Sequence, residues 1–440
     1  TSSDVSGVSG SGDSFTTGTI SNLTNTSATL TYTVTPMVVS TTGGVTTECE
    51  GDDFLVTITV NPEPQIDNFT QTICEGEGFD EITPVNGDDG VVPSGTTYTW
   101  EIDETSSSNI TGGANSSEAA SAIPGSILIN TSNTPQNFVY EVTPITPDDC
   151  QGNPFLITIT VNPMAQMGEV LEDIFVCNGQ VENIDFTTDN SGGITSYVWE
   201  NTGGVDVGLG SSSGTIEDTS PDLSFTATNA GSDPISTQIT VYPTFENDDV
   251  TCTSASQTFT ITVNPEPQID NFTQTICEGE GFDEITPVNG DDGVVPSGTT
   301  YTWEIDETSS SNITGGANSS EAASAIPGSI LINTSNTPQN FVYEVTPITP
   351  DDCQGNPFLI TITVNPMAQM GEVLEDIFVC NGQVENIDFT TDNSGGITSY
   401  VWENTGGVDV GLGSSSGTIE DTSPDLSFTA TNAGSDPIST

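Results

Sequence analysis

Eight cysteines, at positions 49, 74, 150, 177, 252, 277, 353 and 380, hold most of the reactive chemistry open to this chain. Zinc sites usually draw on His or on closely spaced Cys pairs. The chain has no His, and no two of these cysteines are close in sequence. Disulfides are therefore the chemistry to weigh first. Eight cysteines allow about a hundred connectivities, so the pairing must come from whatever positions them.

Carboxylates are the second resource. There are 63 Asp and Glu and no Lys or Arg, so the formal net charge is −63. Acidic doublets recur near turns: Asp52-Asp53, Asp88-Asp89, Asp148-Asp149 and Asp248-Asp249. Calcium takes clustered carboxylate and carbonyl oxygens, which makes Asp52, Asp53, Asp148, Asp149, Asp248 and Asp249 candidate ligands. No EF-hand loop of the form D-x-[DN]-x-[DN]-G is present, and Asp is also a good turn former at an exposed loop. The turn reading is preferred, and no metal or other cofactor is expected. Paired carboxylates can also hydrolyse glycosides, but small repeated modules offer no deep cleft. No catalytic residue is assigned. Asn-x-Ser/Thr sequons occur at Asn22, Asn68, Asn109, Asn115 and Asn130, as this composition produces by chance.

The missing cations exclude whole classes of function. Nucleic-acid binding runs on Lys and Arg neutralising phosphates, and attraction to anionic membranes needs the same residues. Acid–base and covalent catalysis lose His and the amine that forms Schiff bases. Side-chain ion pairs, Lys–Asn isopeptide staples and trypsin-type cleavage sites are all ruled out. No run approaches the 18 or so apolar residues of a membrane span, so no membrane insertion is expected. No signal peptide is evident, and the opening TSSDVSGVSG reads as the middle of a longer protein. The spread of the carboxylates reads first as a solvated, self-repelling surface.

What positions the cysteines is a repeat. Residues 57–237 recur unchanged as residues 260–440, an offset of 203. A weaker repeat of about half that length lies inside it, marked by a strand ending in Asn-Pro: FLVTITVNP (54–62), FLITITVNP (155–163), FTITVNP (259–265) and FLITITVNP (358–366). Proline removes a backbone donor and restricts the residue before it, so these are boundary signals. Cutting there gives modules 63–163, 164–265 and 266–366, flanked by partial modules 1–62 and 367–440.

Each module reads as all-β. In 63–163 the expected strands are PQIDNFTQTI (64–73), TTYTWEI (96–102), SILINTS (126–132), NFVYEVTP (137–144) and FLITITV (155–161). SSEAASAI (116–123), the one helical candidate, is read as a loop. Six or seven short alternating strands in about a hundred residues fit an immunoglobulin-like sandwich. Trp100, Trp199 and Trp303 each sit in a Tyr-x-Trp run, with both aromatics on one face at period two. That predicts core positions, with an exposed aromatic platform for carbohydrate as the alternative.

The pattern TVNPxPxxxNxTxTICxGxxF, then YxW, then FxYxVTP, a loop Cys and ITITVNP resembles the PKD-like or Ig-like repeat of Bacteroidetes surface proteins. It is most similar to the very large gliding-motility adhesins exported by the type IX secretion system. The resemblance implies tandem β-sandwich modules in an extended extracellular filament on a bacterial cell surface. It implies no catalytic residues. The expected role is a structural stalk that bears force and spaces an adhesive region. Contacts to a surface glycan or substratum would come from regions outside this chain, and contacts to gliding and secretion machinery are implied by the resemblance alone. The alternatives are a glycan- or cell-surface-binding array and a calcium-dependent surface-layer or matrix protein.

An extracellular setting favours disulfides, and a sandwich narrows their pairing. The loop after the first strand lies at one end of such a module, and the loop before the last strand at the other. The favoured scheme therefore crosses module boundaries, Cys74–Cys252 and Cys177–Cys353. Cys49, Cys150, Cys277 and Cys380 then pair beyond this chain or stay free. The rival scheme is intramodule, Cys74–Cys150, Cys177–Cys252 and Cys277–Cys353, and needs a shortened or kinked first strand.

Overall fold

A computed structural model describes residues 5–6, 19–217, 223–372, 375–420 and 426–440, and the fold is all-β. Most of the opening TSSDVSGVSG lies outside the described residues.

Between residues 69 and 162 a five-stranded sheet runs in the order Ser116–Ala120, Thr97–Ile102, Gln136–Ile145, Phe155–Asn162, Phe69–Cys74. All neighbours are antiparallel except the last pair. There the first strand lies parallel to the final one, with Phe69 opposite Ile157 and Cys74 opposite Asn162. Short pairs, Ile110–Gly112 with Leu128–Asn130 and Gln65–Ile66 with Gly90–Val91, supply further edges. Alternation decides the faces. Along Phe155–Asn162, Phe155, Ile157, Ile159 and Val161 are buried while the residues between them are partly exposed. They pack with Phe138, Tyr140, Val142, Tyr98 and Leu128 into one core. Burying each such side chain contributes roughly 1.5–3 kcal/mol, so the core carries what ion pairs cannot. Residues 266–366 repeat this architecture.

The intervening module carries an added hairpin. Its main sheet runs Ile174–Cys177, Gln257–Asn264, Ile235–Asn247, Ile194–Asn201, Ser213–Glu217. The long Ile235–Asn247 strand extends past the sheet as a hairpin with Val250–Thr253. Farther toward the N-terminus, Ala28–Val34 pairs with Phe54–Val60 and Met37–Thr42 with Val45–Glu50.

Three local readings change. SSEAASAI is not a loop: Ser116–Ala120 is an edge strand against Thr97–Ile102, with a register shift between Tyr98 and Trp100. Small side chains suit an edge where nothing large needs covering. The segment 64–73 is two strands, because the chain leaves Gln65–Ile66 and enters Phe69–Cys74 on a different sheet. Asn68 fixes the switch by accepting a hydrogen bond from the Leu156 amide at 2.8 Å. The tryptophans also divide. Trp199 is buried in its core, whereas Trp100 and Trp303 are half-buried at the core's margin. Their indole N–H groups donate to the Ala114 and Ala317 carbonyls at 2.9 and 3.0 Å. That bond ties each ring to the neighbouring edge segment.

Candidate functional site

The residues singled out in the sequence converge at the ends of the modules. Phe69–Cys74 ends level with Asn162, so Cys74 sits at the finish of the last strand. Cys150 precedes the start of that same eight-residue strand. At about 3.3 Å per residue the strand separates them by roughly 25 Å, far beyond the reach of a disulfide. The kink at Asp67–Asn68 does not change this, because the strand after it runs on to Cys74.

Cys74 is bonded instead to Cys252, with Cα atoms 5.5 Å apart. Cys252 is presented by the hairpin of the next module. The two residues at its tip, Asp248 and Asp249, both have positive φ, 51° and 61°. This is the backbone that a two-residue turn with matching twist requires, and Asp tolerates it better than most residues. Hydrogen bonds then lock the hairpin to the preceding module. The fully buried Asn162 donates through Nδ2 to the Asn247 backbone carbonyl at 3.0 Å, and Asn247 donates back through its side-chain Nδ2 to Asn162 Oδ1 at 3.0 Å. On another side of this junction the Ser191 amide donates to the Asn133 carbonyl at 3.0 Å.

The following junction uses a different device. Cys177 is bonded to Cys353, with Cα atoms 5.6 Å apart. Cys353 lies in a tight turn in which the Thr349 amide donates to the Cys353 carbonyl and the Cys353 amide donates to Thr349 Oγ1. Asp352 takes the left-handed position, φ 61°. The same turn recurs around Asp149 and Cys150. Cys150 is half-buried and unpaired, while the identical Cys353 is 1% exposed. The contact with Cys177 and its surroundings accounts for that burial. Cys49, Cys277 and Cys380 are free and exposed, and none of the intramodule pairs forms.

The acidic doublets sit at turns. Asp53 is hydrogen-bonded by the Thr35 hydroxyl, Asp89 accepts from the Val85 amide at 2.7 Å, and Asp148-Asp149 and Asp248-Asp249 form the loops just described. Among the described residues no group of three or more Cys, Asp or Glu gathers as a metal site would require. Four sequons hold structural posts. Asn22 and Asn130 are buried, and each donates to two backbone carbonyls. Asn68 and Asn115 accept from the Leu156 and Ile102 amides.

Two tyrosines are electrostatically unusual. Burial, and then the charge of Asp89, pushes the Tyr98 hydroxyl up to about 12. Burial and Asp292 do the same for Tyr301. Hydrogen bonds from Thr105 hold the exposed Asp103 carboxyl below the ordinary range, and Thr308 does so for Asp306.

The sequence pattern missed Asn162 and Asn247. Its one trace was the Asn preceding Pro at the end of the last strand, legible only as a boundary.

The sequence pattern of the PKD-like domain matches residues 1–64, 71–165 and 274–368, more than half of the chain. No curated protein matches. Among solved structures, the I-band fragment I67-I69 from titin aligns at 12% identity over 69% of this chain and 97% of that one, with a TM-score of 0.35. Sidekick-1 immunoglobulin domains 1-4 align at 11% identity over 78% and 94%, with a TM-score of 0.23. Fibronectin(III)-like modules of Clostridium thermocellum CbhA align at 12% over 46% and 95%, with a TM-score of 0.21.

Proposed function

Because this chain belongs to the PKD-like domain family, we propose that it is a crosslinked structural segment of an extracellular bacterial surface adhesin. Its modules, divided at 62/63, 163/164, 265/266 and 366/367, space an adhesive region from the cell and carry tension to it. The observation that supports this reading is the placement of both disulfides. Each joins one module to the next, and none closes a loop within a module. A bond inside a module stabilises that module. A bond between modules fixes their mutual orientation and passes load across the joint.

The composition fits the role. A chain with net charge −63 and no cation repels itself along its length, which favours an extended array. It gives trypsin-like proteases no side chain to recognise. We assign it no enzymatic activity, in keeping with the structural role typical of a PKD-like repeat. The resemblance noted in the sequence extends the proposal to adhesins of gliding motility.

Electron micrographs of the oxidised chain are expected to show straight rods with a spacing of a few nanometres per module. Reduction is expected to turn them into bent chains of beads. Rods that stay equally straight after reduction would count against the crosslinked stalk. Selective binding of the chain to members of a glycan array would favour a receptor role instead.

A further inference from the structure

The two disulfides overlap in sequence: Cys177 lies between Cys74 and Cys252, and Cys252 lies between Cys177 and Cys353. This has a topological result that separate bonds would not have. Treat each disulfide as a node, the first joining residues 74 and 252, the second joining 177 and 353. Three stretches of backbone then run between the same two nodes. Residues 74 to 177 span 103 residues, 177 to 252 span 75, and 252 to 353 span 101. Nodes joined by three chains in parallel can separate no farther than the shortest allows.

We infer that the overlapping disulfides form a redundant mechanical tie, in which either bond alone keeps nearly all of the restraint. With both intact, Cys74 and Cys353 can be drawn apart by at most 75 residues of backbone, although 279 lie between them in sequence. Losing the Cys74–Cys252 bond leaves the route from 74 to 177 and across to 353, which is 103 residues. Losing the Cys177–Cys353 bond leaves the route across to 252 and on to 353, which is 101 residues. One broken bond therefore releases only 28 or 26 residues, whichever bond it is. The second break releases the remaining 176 or 178. Non-overlapping bonds, such as the intramodule pairs, would each release their own loop independently and in any order.

The local structure supports a tie that tolerates one failure. The two nodes lie at opposite ends of the 164–265 module, because Cys177 ends its first strand while Cys252 is on its projecting hairpin. The shortest of the three stretches is thus the body of that module. While it stays folded it is the taut member, and the other two are slack reserves. The purpose of the tie rests on the load-bearing reading above, but the released lengths depend only on the two bonds.

The test is single-molecule stretching of the oxidised 440-residue chain held at its ends, with the four free thiols first capped by an alkylating reagent. Force is raised until the modules unfold, and dithiothreitol is then added. Its thiolate attacks one sulfur of a disulfide and expels the other as thiolate. Its second thiol closes the cyclic reductant and frees the first cysteine. Two steps are expected, always small then large. At about 3.5 Å per residue the contour-length gains are about 9 nm and about 60 nm. A Cys252→Ser chain should show the large step alone. A large first step, or steps near 75 residues each, overturns the tie. A glycan-binding chain would give the same small-then-large order, so failure of the stalk reading and failure of the tie are separately visible.

Discussion

Asn162 and Asn247 exchange amide hydrogen bonds across the boundary between two modules, each 3.0 Å long, while Asn162 is shielded completely from solvent. An amide can donate and accept at once, which neither Asp nor Leu can do in the same volume. Truncating it removes both bonds and leaves the half-buried Asn247 side chain with its contact to Asp248 alone. Asn162→Ala is expected to lower the stability of the joined modules by about 1–3 kcal/mol. Asn162→Asp should cost at least as much, because a carboxylate would then face carbonyl oxygens. Denaturant unfolding with the disulfides intact measures both, and an unchanged midpoint for Ala would show the pair to be incidental.

The tyrosines set an alkaline limit. The Tyr98 and Tyr301 hydroxyls have folded values near 12 against an ordinary 10. A raised folded value means that the native state holds its proton longer than the unfolded chain does. Their contribution is complete below pH 10 and is lost as pH climbs to about 12. Stability is therefore expected to fall across that window, and Tyr98→Phe should flatten the fall. Phenolate absorbance rising fully near pH 10 in the folded chain would contradict this.

Acid should act differently here than on ordinary proteins. Protonating 63 carboxylates leaves no side-chain cation behind, so little positive charge builds up to drive the chain apart. Asp103 and Asp306 work weakly the other way. Their lowered values mean stability present above the ordinary carboxylate range and lost as pH falls through their folded values. The expected outcome is a chain that keeps its β-sheet circular dichroism in acid but self-associates as its charge disappears. Cooperative acid unfolding of a monomer, followed by dichroism and light scattering together, would reverse this expectation.

The doublet at the hairpin tip separates a turn from a metal site. Asp249 has φ 61°, where glycine is free of strain and a β-branched residue is not. Asp249→Gly is expected to leave stability within about 1 kcal/mol, and Asp249→Val to cost about 1–2 kcal/mol. Melting temperatures in calcium and in chelator should coincide. A rise of several degrees in calcium would show that the doublets bind it.

Much of this fold could be read from residue order because alternation and punctuation agree. FLITITVNP carries a period-two core face and its own terminator, and it forms the Phe155–Asn162 strand. Ser116–Ala120 escaped because SSEAA has neither alternation nor β-branched residues, and its neighbours alone make it a strand. The half-exposure of Trp100 and Trp303 escaped for a related reason. Period two tells which face a side chain occupies, but not how far the opposing layer extends over it. The Asn162–Asn247 clamp was out of reach because its two halves lie 85 residues apart and become neighbours only when two modules meet.

The separations of the disulfides also dictate an order of assembly. The sheet containing Cys74 is complete once residue 162 has been made, yet the sulfur that Cys74 needs is at position 252. Domains emerging from synthesis fold as units, the N-terminal one first. The modules carrying Cys74 and Cys177 are thus each finished with a thiol still open, and each is sealed only when its successor has folded around the matching cysteine. A misfolded successor would leave that thiol exposed, so the pairing doubles as an inspection of the neighbour before the joint is closed.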